Sequence, residues 1–198
     1  MSLPDGYADV PRGKIAAVVT CLEMLARPTP GSEPAEVPWR LRRVSDPEPD
    51  WFRALYRRVG ADWLWFSRLV LADEALRGII RDPAVEVHVL EHQQSDEGLL
   101  ELDFRRPAEC EMSFLGVTAP LIGSGAGRWL MNRALELAWS RPIGRLWVHT
   151  CTLDHPRALA FYLRAGFRPY CRQIEIADDP RITGILPRGA APAVPIVD

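Results

Sequence analysis

The chain has 198 residues, 47% of them hydrophobic and 25% charged, which suits one soluble domain with extensions and a sizeable core. A net charge of -2 excludes a general nucleic-acid binder, and no apolar run is long enough to span a membrane. The start, MSLPDGYADV, lacks a signal peptide's basic and apolar regions, and Cys21, Cys110, Cys151 and Cys171 lack paired spacing, so reduced thiols in a cytoplasmic protein are expected.

Residues 1–37 read as an N-terminal extension. Within it the β-branched run KIAAVVTCLEML predicts an extra strand, and RPTPGSEPAEVP reads as a linker. So apolar a strand should join the edge of a sheet or a partner subunit, which makes a homodimer one expected assembly. PWRLRRV predicts a short strand. Asp50 is placed to cap the helix WFRALYRRVG, and ADWLWFSRLVLADEALRGIIRD reads as one broken helix or two. VEVHVLEHQ and LLELDFRR are strands joined by a turn at QSDEG, and ECEMSFLGV is a third strand after Pro107. A glycine-rich stretch then leads into a helix reaching Trp139, followed by the strand RLWVHTCT, the helix HPRALAFYLRAGF and the strand RPYCRQIEI. The main domain is expected over 38–186, with a Pro/Ala-rich, poorly ordered tail over 187–198.

Three glycines, Gly123, Gly125 and Gly127, stand at a helix start in PLIGSGAGRWLMNRALELAW. A Walker loop would need lysine where Arg128 stands, and a dinucleotide fingerprint would need glycine there. Two readings of these residues remain: an incidental flexible loop, or an anion cradle whose backbone N–H groups and helix dipole face a phosphate.

The order of elements resembles that of the GNAT acetyltransferase superfamily, whose pyrophosphate loop follows R/Q-x-x-G-x-G/A. Residues 122–127, IGSGAG, supply both glycines, Gly125 and Gly127, with Ile122 where the family usually carries Arg or Gln. HPRALAFYLRAGF is similar to the family's N-x-x-A-x-x-F-Y-x-x-x-G-F at Ala158, Phe161, Tyr162, Gly166 and Phe167, with His155 in place of Asn. The resemblance covers roughly residues 38–176. It implies a mixed, mainly antiparallel α/β sheet with helices on both faces and a splayed parallel pair of strands. It implies acetyl-CoA as acyl donor, bound by Ser124, Gly125, Ala126, Gly127 and Arg128, by the strand residues Leu115 and Val117, and at His155. The acceptor would be a small-molecule or peptide amine.

Tyr162 is then the candidate acid that protonates the departing thiolate, with packing against Phe161 as the alternative. For the base, strand alternation places Glu109, Glu111, Ser113, Leu115 and Val117 on one face, with Asp103 opposite Glu111 across the hairpin. Clustered carboxylates attract a cationic amine and raise one another's pKa, making Glu111 the candidate base, with Glu101 and Asp103 behind it. The alternative is that these acids are the wet face of a hairpin. His149, Cys151 and His155 lack a fourth ligand, so no metal is expected. Trp63 and Trp65 either line the acceptor pocket or pack the core. A non-catalytic coenzyme A-binding module of the same fold is the rival to an enzyme.

Overall fold

The computed structural model describes residues 5–29 and 36–198. Period-two runs and helical stripes assemble as strands β1 (Lys14–Met24), β2 (Trp39–Val44), β3 (Val85–His92), β4 (Ser95–Asp103), β5 (Glu109–Val117), β6 (Arg145–Cys151) and β7 (Arg168–Asp178). The helices are α1 (Pro49–Gly60), α2 (Asp73–Ile80), α3 (Ala126–Ala138) and α4 (Ala158–Arg164). The seven strands form one sheet in the order β2-β3-β4-β5-β6-β1-β7, antiparallel except for the pair β5/β6.

Two cores flank this sheet. On one face Leu22, Met24, Leu100, Leu102, Met112 and Leu146 pack with Leu130, Met131 and Ala134 of α3 and Tyr162 of α4. On the other, Val85, Val87, Val89 and Leu99 pack with Phe52, Leu55 and Tyr56 of α1 and Leu76 and Ile80 of α2. The mixed sheet with helices on both faces is thus present.

Several local expectations change. The apolar N-terminal strand does not join the sheet edge: β1 lies inside the sheet, antiparallel to both β6 and β7, and β7 is the edge. Leu22 has no exposed surface there, which suits an interior strand so rich in apolar residues. Helix α1 starts at Pro49 with Glu48 as N-cap and no side-chain cap bond, so Asp50 contributes first-turn charge rather than a cap. The broken-helix region becomes a 3-10 turn at Ala61–Trp63, a connecting loop and α2. The β3–β4 hairpin turns on Gln93 and Gln94, both at positive φ (49° and 64°), so the residues of QSDEG after Gln94 already belong to β4.

The tail is also anchored. Arg181, 4% exposed, pairs with Asp179 at 2.7 Å and donates to the carbonyl oxygens of Ala190, Ala191 and Val194. That holds Leu186, Ala190 and Ala191 in the core beside α1. Five-donor guanidinium geometry is what lets one side chain gather so many carbonyls.

The register of β5 matters most for function. Glu101 pairs with Phe114 but Leu102 pairs with Met112, so Ser113 is an extra residue, a β-bulge. The single alternating face expected from Glu109 to Val117 is therefore split. Glu111 shares the α1 side with Phe114, whereas Leu115 and Val117 join Cys110 and Met112 on the α3 side. Pairing of β5 with β6 runs only from Glu109↔Arg145 to Glu111↔Trp147. Beyond that point the two strands separate, and the gap opens into the site.

Candidate active site

A cavity of about 420 Å³ begins where β5 and β6 part. At one end it is lined by Gly123, Gly125, Gly127 and Arg128, with Arg157 and Arg164 from the α4 region. Gly123 and Gly125 adopt φ +85° and +98°, the left-handed region that glycine enters without strain. This turn delivers the chain into α3, whose first turn has amides without an intrahelical acceptor. The N–H groups of Gly125, Gly127 and Arg128 have no acceptor among the described residues. An ideal Cβ at any of the three glycines would meet no protein atom within 4 Å, so the space beside them is open to a ligand.

Ser124 and Ala126 play a different part from the one expected. The Ser124 N–H and hydroxyl both donate to the Leu121 carbonyl, at 3.2 and 2.8 Å, and the Ala126 N–H donates to Ser124 Oγ at 3.2 Å. Ala126 has no exposed surface and faces the core. These residues shape the loop, while their glycine neighbours and Arg128 border the cavity. Leu115, Val117 and His155 line it as expected. The Arg157 N–H donates to Nδ1 of His155, and Trp63 stands edge-on to the imidazole at 5.0 Å.

Tyr162 reaches the cavity wall from α4, its ring edge-on to Phe167 at 5.9 Å and Phe161 at 5.6 Å. Burial, and then the negative charge of Asp154, push its phenol well above the usual tyrosine range, so it holds its proton until a stronger base than bulk water arrives.

The carboxylate cluster resolves into three environments. Asp103 does stand opposite Glu111. Burial pushes its acid upward, but Arg105 outweighs this, donating from Nε at 2.9–3.0 Å and holding Asp103 below the ordinary range. Glu101 has no exposed surface and faces Arg68 at 2.5 Å, under Phe114. Neither lines the cavity. Glu111 is raised to about 7 by burial first and by the adjacent Asp103 charge second. It too stands behind the cavity wall. In front of it is His149, whose Nδ1 lies 3.8 Å from Glu111 Oε1 and whose side chain is half exposed and lines the cavity.

His149 was legible only as one of a scattered His/Cys group. Its pairing comes from parallel register, since Glu111 lies opposite Trp147 and His149 is the next residue of β6 on that face. Arg157 and Arg164 were visible as basic residues beside the α4 motif without a partner to give them meaning. Asp154 carried no signal, yet it accepts bonds from Trp65 Nε1 (3.1 Å), Thr150 Oγ1 (2.7 Å) and the Cys151 N–H (2.8 Å).

Solved structures with the same fold include a GCN5-related N-acetyltransferase from Sphaerobacter thermophilus, with a TM-score of 0.61 at 14% identity over 82% of this chain and 52% of that one. Another, from Kribbella flavida, has a TM-score of 0.56 at 14% identity over 87% and 63%. An aminoglycoside acetyltransferase from an uncultured soil metagenomic sample, in complex with sisomicin, has a TM-score of 0.54 at 16% identity over 65% and 88%. The chain spans about half the length of the Sphaerobacter protein and under two thirds of the Kribbella one. No curated protein matches it. Residues 56–167 match the acetyltransferase (GNAT) family, and the chain belongs to that family. Among the described residues no helix is long and apolar enough to cross a membrane.

Proposed function

We propose that the protein transfers an acetyl or other short acyl group from its coenzyme A thioester to an amine. The observation that carries this reading is that one cavity joins the unpaired loop amides to both His149 and Tyr162. Three arginines, Arg128, Arg157 and Arg164, border the same end, the charge a pyrophosphate needs and a replacement for the side chain missing at Ile122. Leu115 and Val117 line the gap between the parted strands, a channel suited to a pantetheine arm.

In this mechanism the acceptor amine loses its proton to His149, backed by Glu111, an imidazole passing the proton from one ring nitrogen to the other. The separation of 3.8 Å is ion-pair distance and closes by a small side-chain rotation. The neutral amine nitrogen then forms its bond to the thioester carbon as the carbon–sulfur bond breaks, and the second proton it sheds on becoming an amide passes to solvent. The Tyr162 hydroxyl gives its proton to the departing sulfur and is reprotonated from solvent.

Thiol release from acetyl-CoA in the presence of an amine panel, with mass detection of the acylated product, tests the reading. Saturable release that requires both an amine and Tyr162 supports it. Tight coenzyme A binding with no release for any amine would instead leave a binding module.

A further inference from the structure

On the α1 side the cavity is walled by the rings of Trp65, Phe66 and Phe114, with Trp63 beside His155 and Tyr56, which has no exposed surface, packed behind them. Two of these rings have their polar atoms already used. The Trp65 N–H donates to Asp154, and the Tyr56 hydroxyl shares a 3.1 Å hydrogen bond with Ser67. The Trp65, Phe66 and Phe114 walls therefore present carbon.

They are also fixed in advance. The Trp65 ring lies 5.5 Å from that of Tyr56 and 5.3 Å from that of Phe114, and Tyr56 meets Phe114 edge-on at 4.9 Å. Two glycines make room for this packing. A Cβ on Gly60 would fall 2.5 Å from Trp65, and one on Gly116 would fall 2.6 Å from Val59 and 3.2 Å from Trp65. A rigid aromatic wall loses little entropy when a flat apolar group lies against it, and its ring faces also favour an ammonium approaching with that group.

The charge is equally selective. Among the described residues the lining carboxylates are Asp154 and Glu175. Both Asp154 oxygens already accept bonds from Trp65, Thr150 and Cys151. That leaves Glu175, exposed on β7, as the remaining lining carboxylate. A polyamine or polycationic sugar would bring several ammonium groups and many hydroxyls to a surface with few partners for them.

We infer that the acceptor is a primary amine carried on an aromatic or other flat apolar body, such as an arylalkylamine. The inference rests on the acyl-transfer reading and names its acceptor class.

Two measurements separate the two claims. The first is kcat/KM with acetyl-CoA for 2-phenylethylamine and tryptamine against spermidine, an aminoglycoside and an alanine-initiated tripeptide. The second is calorimetric binding of the same amines to the coenzyme A-saturated protein. The aryl amines should exceed every other amine by at least about tenfold in both, and Trp63→Ala and Phe66→Ser should each shrink that ratio severalfold. Faster turnover of spermidine, the aminoglycoside or the peptide overturns the acceptor class and leaves acyl transfer standing. Selective binding of the aryl amines without turnover overturns acyl transfer and leaves the pocket's preference standing. Equal binding of all the amines, binding of none, or a ratio unmoved by either substitution overturns the inference.

Discussion

The two ends of the cavity are built on opposite principles. The glycine-loop end is local: a few consecutive residues set the backbone, and that backbone itself borders the cavity. The aromatic end is assembled from α1, the turn after it, the β5 bulge, β6 and β7, with side chains far apart in sequence forming its wall. Glycines occur at both ends for different reasons. At Gly125 the need is a left-handed backbone, whereas at Gly60 and Gly116 it is room for Trp65 and Val59. The lesson is that a backbone-lined pocket can be written in one short stretch, while a side-chain-lined one needs the whole sheet to bring its parts together.

The largest expected effect breaks the loop end. Gly125→Val forces a β-branched residue to φ +98° and should abolish coenzyme A binding, measured as loss of the ligand-induced rise in melting temperature. In the unaltered protein that rise corresponds to about 2.7 kcal/mol at a hundred times the dissociation constant. Gly127→Val sharpens the test, because Gly127 lies within α3 and its Cβ would enter open space beside the amides. Loss of binding there too shows that the ligand approaches the backbone closely. Retained binding would show that the glycines serve conformation alone.

Next in size is the chemistry where the two ends meet. Tyr162→Phe removes one hydroxyl from a buried ring and should lower kcat by roughly 100-fold or more, with coenzyme A affinity nearly unchanged. Full activity in this variant would make Tyr162 a packing residue. His149→Gln should cost about 10- to 100-fold in kcat, because it removes the imidazole that stands between the cavity and Glu111. Wild-type turnover in His149→Gln would place the base elsewhere.

The smallest effect is on stability, and its sign is distinctive. Because the folded protein holds Glu111 near 7, against 4.5 when unperturbed, the native state binds more protons than the unfolded one between those values. Stability at this site is therefore greatest below about pH 4.5 and declines as pH rises to about 7. Glu111→Gln should remove that loss, raising stability by about 2–3 kcal/mol at pH 8 with little change at pH 4, while slowing turnover. Thermal melts at both pH values check this. Stabilisation that is equal at both would mean Glu111 is not held protonated by its surroundings.

Much of the loop end was legible because it depends on short-range order. Gly125 and Gly127 before an apolar helix, and Tyr162 in its motif, lie where their spacing implied, and the hairpin register brought Asp103 opposite Glu111. The fold class followed from the order of strands and helices for the same reason, since periodicity records which face of each element is buried. What the sequence did not carry was every consequence of one residue's displacement or of a distant neighbour. The extra residue Ser113 turns Leu115 and Val117 away from Glu111, and nothing in ECEMSFLGV marks where strict alternation fails. The interior place of β1, the pinning of the tail by Arg181 and the joining of His149 to Glu111 each depend on segments far apart in the chain. Local backbone preference and burial pattern act within a few residues and so can be read along the chain. Strand partners, ion pairs and cavity walls are chosen only when the sheet closes, because their free energy comes from the packing of segments that sequence alone leaves unpaired.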